Sequence, residues 1–112
     1  MIMTTTRITV SSANRSELFQ TIVTLLVPVR NEKGCVSSRF YLDSADSNSA
    51  ILVEEWETED DWSTHLRSRD CAVLLGAVGV LCRPSGVEFK LLSCVAGIEA
   101  ITAARAAQTV EI

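Results

Sequence analysis

The sequence predicts an α+β fold: a ferredoxin-like βαββαβ sheet with its helices on one face. Three observations carry that expectation. Hydrophobic periodicity changes along the chain in the order strand, helix, strand, strand, helix, strand, which is the split βαβ pattern. Both helical stretches follow an alternating stretch directly, as crossover helices do. The segment Ile51–His65, ILVEEWETEDDWSTH, passes from buried strand to capped helix start without a spacer. The rest of the chain is most easily read around that junction.

Taken in order, Met1 to Thr5 reads as a loose start, and Arg7 to Ser12 alternates as a first strand, Ile8 and Val10 against Thr9 and Ser11. Asn14 with Glu17 has capping-box spacing and opens a helix whose apolar residues Leu18, Ile22, Leu25, Leu26 and Val29 recur at three and four. Pro28 cannot donate to the carbonyl of Thr24, so the last turn is expected to be irregular, and Asn31 to Gly34 stops it. Cys35 to Asp43 and Ala50 to Glu57 read as a hairpin around the turn-forming loop Ser44–Ser49. Thr58 is the cap of the next helix, with Asp61 in capping-box position and Glu59 and Asp60 at the positive end. That helix is expected to pause near Ser68–Asp70 and continue through Cys71–Cys82. Its Val73, Ala77 and Val80 make it apolar all round, so it should be covered on both sides. Gly76 and Gly79 would allow close packing there. Arg83-Pro84-Ser85-Gly86 breaks the helix, and Val87 to Val95 reads as the fourth strand. Residues 1–95 would form the domain, and 96–112 a helical extension of it, Ala-rich over Glu99–Gln108.

A chain of 112 residues with 47% hydrophobic content builds one domain with a real core. Its net charge of −4 and scattered Lys and Arg exclude the basic face that nucleic acid calls for. The longest apolar run, Cys71 to Cys82, is short of the ~20 residues of a membrane span. Four cysteines and one histidine lack zinc-ligand spacing, so no metal is expected. With nothing at the N-terminus that reads as a signal peptide, the thiols are expected to be reduced and buried in a cytoplasmic protein. Val36, Ile51, Val53 and Leu91 suggest a partly apolar second sheet face, which a second copy would cover sheet to sheet as a two-fold homodimer.

Strand parity places Leu52, Glu54 and Trp56 on one face. Trp62 and Leu66 share a helical face, with His65 at its edge. A buried Glu54 needs a partner, and Arg30 or Arg39 is available for a salt bridge. His65 reads equally as a proton acceptor or as a structural residue bonded to a carbonyl or to Glu54. Arg30 and Glu32 read as residues that fix the turn between helix and strand. Trp56 and Trp62 are core by default and pocket walls by the functional reading.

Arg30-Asn31-Glu32-Lys33-Gly34-Cys35 resembles the R-x-E-x-G-C segment of the antibiotic biosynthesis monooxygenase (ABM) domain family. Glu54-Glu55-Trp56 followed by His65 resembles the same family's E-x-W strand and helix histidine. The likeness covers roughly Arg7 to Val95. It implies a dimeric α+β barrel with a pocket between sheet and helices, and a monooxygenase that uses no cofactor and acts on a quinol or polyphenol-like small aromatic. His65 would be the catalytic base or anchor. Trp56, Trp62, Glu54, Leu52, Ser38 and Leu75 would bind substrate. Ser38 stands where such oxygenases often carry an aromatic, and Leu52 near where some carry Asn. Haem-degrading relatives place a ligating histidine near the position of Leu75, so haem is not expected. Two other readings fit the same scaffold: a non-catalytic dimeric binding or stress-related module, and an isomerase or decarboxylase of a keto or enol compound.

Overall fold

The computed structural model describes residues 1–93 and 97–111. Its elements are β1 (Ile2–Thr9), α1 (Ser12–Arg30), β2 (Cys35–Leu42), β3 (Ser49–Trp56), α2 (Glu59–Leu66), α3 (Arg69–Leu81), a 3₁₀ turn at Pro84–Gly86, β4 (Val87–Leu92) and α4 (Ile98–Glu111). The strands form one sheet in the order β2-β3-β1-β4, with every neighbouring pair antiparallel. This is the ferredoxin-like α+β order that the sequence predicts. The expectations for Cys94, Val95 and Ala96 lie outside the described residues. Among the described residues no helix is long and apolar enough to cross a membrane.

The first strand begins at Ile2, five residues before the expected start. Met3-Thr4-Thr5-Thr6 looks polar and shapeless in sequence, yet threonine is β-branched and suits a pleated surface. The strand is central, paired along its length with β3 and over Met3–Ile8 with β4. Thr4 is buried there.

α1 starts at Ser12 behind Ser11, not at Asn14. Asn14 instead donates its Nδ2 to the Leu81 carbonyl at 3.1 Å, tying α1 to the end of α3. The helix runs through Pro28 and closes on i→i−3 bonds from Asn31 to Pro28 and from Glu32 to Val29. Thr58 accepts from the Asp61 amide at 3.1 Å, and Ser68 from the Cys71 amide at 3.1 Å, so two N-caps separate α2 from α3.

The register assigns the faces. Ile8 lies opposite Ala50 and Val87, Thr6 opposite Leu52 and Phe89, and Thr4 opposite Glu54 and Leu91. Directly opposed residues share a face. Ile8, Val10, Leu18, Ile22, Leu52 and Cys82 form the buried centre between this face and the helices, with Phe19 and Phe40 edge to face at 5.3 Å beside it. The other face carries Met3, Ile51, Val53, Tyr41 and Leu92 among Arg7, Arg39, Glu55, Glu88 and Lys90. Leu91 therefore belongs to the helix side, one residue out of the expected register, and Leu92 takes its place outside.

The outer side of α3 is not covered by any of the described residues. Val73, Leu75 and Val80 are exposed there, and open space lies beside Gly76 and Gly79 rather than packed sheet. α4 likewise presents Ile98 and Ile101 to solvent.

Gly34 is a position that only glycine suits. Its φ is +79°, in the left-handed region, and a Cβ there would run into the Asp61 side chain. Its carbonyl accepts from the Glu57 amide at 2.8 Å, which joins the α1–β2 turn to the end of β3. Gly34→Ala is expected to cost at least about 1–2 kcal/mol from the backbone alone, with the clash added. In an Asp61→Gly background, which removes the clashing Cβ together with the carboxylate, the clash is relieved and the backbone part persists. Urea midpoints of the two single variants and the double variant separate the contributions.

Candidate active site

β3 supplies the floor of the site, because Leu52, Glu54 and Trp56 alternate onto the helix side and all three are buried. β2 adds Ser38 directly opposite Glu54. α2 lowers His65 onto this floor, and the α1–β2 turn brings Glu32 in from the side.

His65 is the centre. Its side chain is 4% exposed. Nδ1 lies 3.0 and 3.1 Å from the two Glu32 oxygens, and Nε2 lies 3.7 Å from Glu54 Oε1. The Trp56 indole stacks on the ring at 4.5 Å between centroids and 27° between planes. Ser38 Oγ donates to Glu54 Oε2 at 3.1 Å, and Arg30 Nε donates to the Ser38 carbonyl at 2.8 Å. A carboxylate, an imidazole and a second carboxylate thus stand in line, one ring face covered by indole.

Burial pushes the Glu54 carboxyl above its usual value of 4.5; Glu32 adds to the rise, while His65 and the Ser38 hydroxyl oppose it. Folded protein therefore holds a proton on Glu54 over a pH range in which the unfolded chain has lost it. Stability from this group is fully present below about pH 4.5 and declines as pH rises through the raised value. Glu54→Gln stays neutral and keeps an oxygen for Ser38, so its urea midpoint should fall less than the wild type's between pH 4.5 and neutrality. The same acidic surroundings act on the neighbouring thiols. Burial, then the charges of Glu54 and Glu32, push Cys35 up to about 11 and raise Cys71 as well. These are inert, protonated thiols at neutral pH.

A cavity of about 10 Å³ opens beside the imidazole, at the size threshold for one water molecule. Ile22, Leu25, Leu26, Val29, Leu52 and Leu74 form its apolar wall, and Ser38, Glu54, His65 and Asp70 its polar end. No Lys or Arg is among these lining residues. Among the described residues no group of three or more His, Cys, Asp and Glu is arranged to hold a metal ion.

Of the expected site residues, the structure brings together His65, Glu54, Ser38 and Leu52 on the cavity, with Trp56 directly behind His65. Trp56 is fully buried, and its Nε1 has no hydrogen-bond partner among the described residues. The structure places two of the expected site residues away from the cavity. Leu75 is 63% exposed on the outer side of α3, and its neighbour Leu74 lines the cavity instead. Trp62 is half-buried against Phe89 of β4, 6.5 Å between ring centroids, away from the cavity. His65 is the buried residue of α2, while Trp62 is half-buried and Leu66 exposed. Two carboxylates and an indole hold the imidazole inside. The salt bridge from Glu54 to Arg30 or Arg39 is replaced by the contacts to Ser38 and His65; Arg39 lies opposite Val53, on the far face.

Glu32 is the site residue that sequence reasoning placed elsewhere, as a turn residue. Its signal was present as the glutamate of the R-x-E-x-G-C segment, where the tight turn at Gly34 aims it at α2.

The family model for antibiotic biosynthesis monooxygenases matches residues 1–74, which contain every residue of this site. The chain belongs to the antibiotic biosynthesis monooxygenase family. Solved structures agree with that membership in fold. A candidate antibiotic biosynthesis monooxygenase from Deinococcus radiodurans superposes with a TM-score of 0.79 at 17% identity, covering 87% of this chain and 95% of that one. A Mycobacterium tuberculosis protein gives 0.78 at 23% identity, covering 86% and 96%. A candidate family member from Nitrosomonas europaea gives 0.78 at 13% identity, covering 86% and 100%. At these identities the likeness shows the shared fold alone. No curated protein matches the chain.

Proposed function

We propose that this family member is a cofactor-independent monooxygenase acting on a small, uncharged phenol or quinol, with His65 as the base. The observation that carries the reading is the line Glu32–His65–Glu54 at the polar end of an apolar cavity. A hydroxyl at the apex of a triangle with Nε2 and Glu54 Oε1 reaches both, because 3.7 Å is too long for a direct hydrogen bond and short enough to be bridged. The hydroxyl proton passes to Nε2, and the phenolate forms beside the new imidazolium. The anion gives an electron to dioxygen, and the two radicals combine at carbon. One oxygen atom stays in the product as a quinone carbonyl, and the other leaves as water with the two hydrogens lost from the substrate. The protein's part is to ionise, hold and shield the substrate.

Charge narrows the substrate class. Glu32, Glu54 and Asp70 surround the polar end without a lining cation, so a substrate that already carries a carboxylate is disfavoured. Binding an aromatic ring requires the Leu25, Leu26 and Leu74 side chains to part, since the closed cavity has room for about one water. That small volume favours a second reading, an isomerase of a small enol compound, in which His65 removes a proton and a neutral Glu54 returns one. We further propose that the chain works as a homodimer packed through the outer sheet face, where Met3, Ile51, Val53, Tyr41 and Leu92 gather.

The test is oxygen uptake by metal-stripped protein with matched pairs of dihydroxyaromatics, one member of each pair carboxylated. Uptake with the neutral members and at least about tenfold less with the carboxylated ones supports the reading. Uptake no greater than the protein-free blank across the panel removes the oxygenase. Proton exchange into an enolisable ketone under the same conditions then supports the isomerase.

A further inference from the structure

We propose that Glu32 is the positioning residue of the site: it holds neutral His65 in the Nδ1–H tautomer, so that the lone pair of Nε2 faces Glu54 and the cavity. Its catalytic consequence rests on the reading of His65 as the base; its test does not.

The geometry leaves little choice of proton. An ionised carboxylate only accepts hydrogen bonds, and both Glu32 oxygens lie within hydrogen-bond distance of Nδ1, so Nδ1 must carry the hydrogen. Nε2 is 3.7 Å from Glu54 Oε1, too far to be donating to it. The carboxylate that fixes the tautomer is therefore the one on the side away from the cavity. This is the arrangement that frees the other nitrogen as a base.

Glu32 is also held better than a surface glutamate. Its amide donates to the Val29 carbonyl at 3.0 Å, and its own carbonyl accepts from the Cys35 amide at 3.2 Å. Its side chain is 19% exposed. The left-handed Gly34 that follows two residues later sets the direction of this turn.

Other groups around the ring do not compete for Nδ1. From β3 comes Glu54, on the Nε2 side. From α3 comes Asp70 at the cavity, with Cys71 behind it as a protonated thiol. From β2 come Cys35, also a protonated thiol, and Ser38, whose hydroxyl is spent on Glu54. Arg30 is turned to the Ser38 carbonyl. Trp56 covers a ring face and offers no acceptor to the ring edge.

The two glutamates thus divide their work by position. Glu32 orients the imidazole from behind. Glu54 meets the substrate hydroxyl from in front. Replacing Glu32 leaves the imidazole free to carry its proton on Nε2, where it would offer the substrate a donor in place of a base. The loss should then fall on kcat more than on KM, because Glu32 does not line the cavity and the apolar wall that holds the ring is unchanged.

The chain has one histidine, so ¹⁵N–¹H correlation across the imidazole ring reads this residue without assignment. With the full-length protein at a pH where the ring is neutral, Nδ1 should show the shift of a protonated nitrogen and Nε2 that of an unprotonated one. Glu32→Gln should move the ring to the Nε2–H form or to a mixture, and Glu32→Asp should restore part of the Nδ1–H signal. An Nε2–H ring in the wild type overturns the proposal. So does an Nδ1–H ring unchanged in Glu32→Gln, or a ring protonated on both nitrogens at every pH where the protein is folded. If Glu32→Gln does not fold, the wild-type spectrum and Glu32→Asp still decide. In the oxygen-uptake assay Glu32→Gln should lower kcat at least tenfold, with KM within threefold and a shifted pH profile. A Nδ1–H ring in a protein that takes up no oxygen would remove the oxygenase reading and leave the role of Glu32 standing.

Discussion

His65→Ala is expected to lower kcat for oxygen uptake by about 10²- to 10⁴-fold, the range that a positioned general base contributes. The size follows from the site having one group suited to the task. Burial makes Glu54 hold its proton to higher pH than a free carboxyl, and Cys35 and Cys71 are poor bases because burial and the two glutamates hold their protons on. Substrate affinity should change less, since Leu25, Leu26, Leu52 and Leu74 still form the apolar wall. The variant leaves Glu32 and Glu54 without their common partner, so circular dichroism and a urea midpoint must accompany the kinetics. A variant that keeps its fold and its full rate would move the base elsewhere.

Trp56→Ala is expected to remove about 3–5 kcal/mol of stability, the usual cost of deleting a buried large aromatic. Trp56 is 0% exposed and ends β3 between Ile2 on one side and Cys35 on the other. It also carries the stacking contact that fixes one face of His65. A loss of that size is a large fraction of the 5–15 kcal/mol by which domains of this kind are stable, so the urea midpoint should fall steeply. Trp56→Phe should cost far less, at most about 1.5 kcal/mol, because the indole N–H has no partner to lose and a ring remains against the imidazole. If alanine and phenylalanine cost the same, the stacking and packing account of Trp56 is wrong.

Much of this site was legible before the fold was known, and the reasons are physical. Strand parity alone put Leu52, Glu54 and Trp56 on one face, and a period of two leaves no freedom once the strand is located. The start of α2 was equally readable, because Thr58 and Asp61 carry their own capping chemistry. Helix rotation was not readable. α2 has eight residues, too few for a stripe to fix its rotation, so Trp62, expected as a pocket wall beside His65, stacks on Phe89 instead. The same uncertainty of about one residue separated Leu75 from Leu74 on α3 and Leu91 from Leu92 on β4. Glu32 was missed for a different reason. It is distant in sequence from His65, and only the turn at Gly34 brings the two together. The threonines of β1 hid a central strand because threonine reads as polar while behaving as a β-former.

The most direct test of the account is whether His65 takes a proton from a bound phenol when no oxygen is present. Neutral dihydroxyaromatic is added anaerobically to metal-stripped wild type and to His65→Gln, and binding is followed by tryptophan fluorescence while the ultraviolet difference spectrum reports ionisation. The account predicts a phenolate band in the wild type, at a pH where the free phenol is neutral, and binding without that band in His65→Gln. A phenol that binds the wild type and stays protonated, or ionises equally in both proteins, would contradict it.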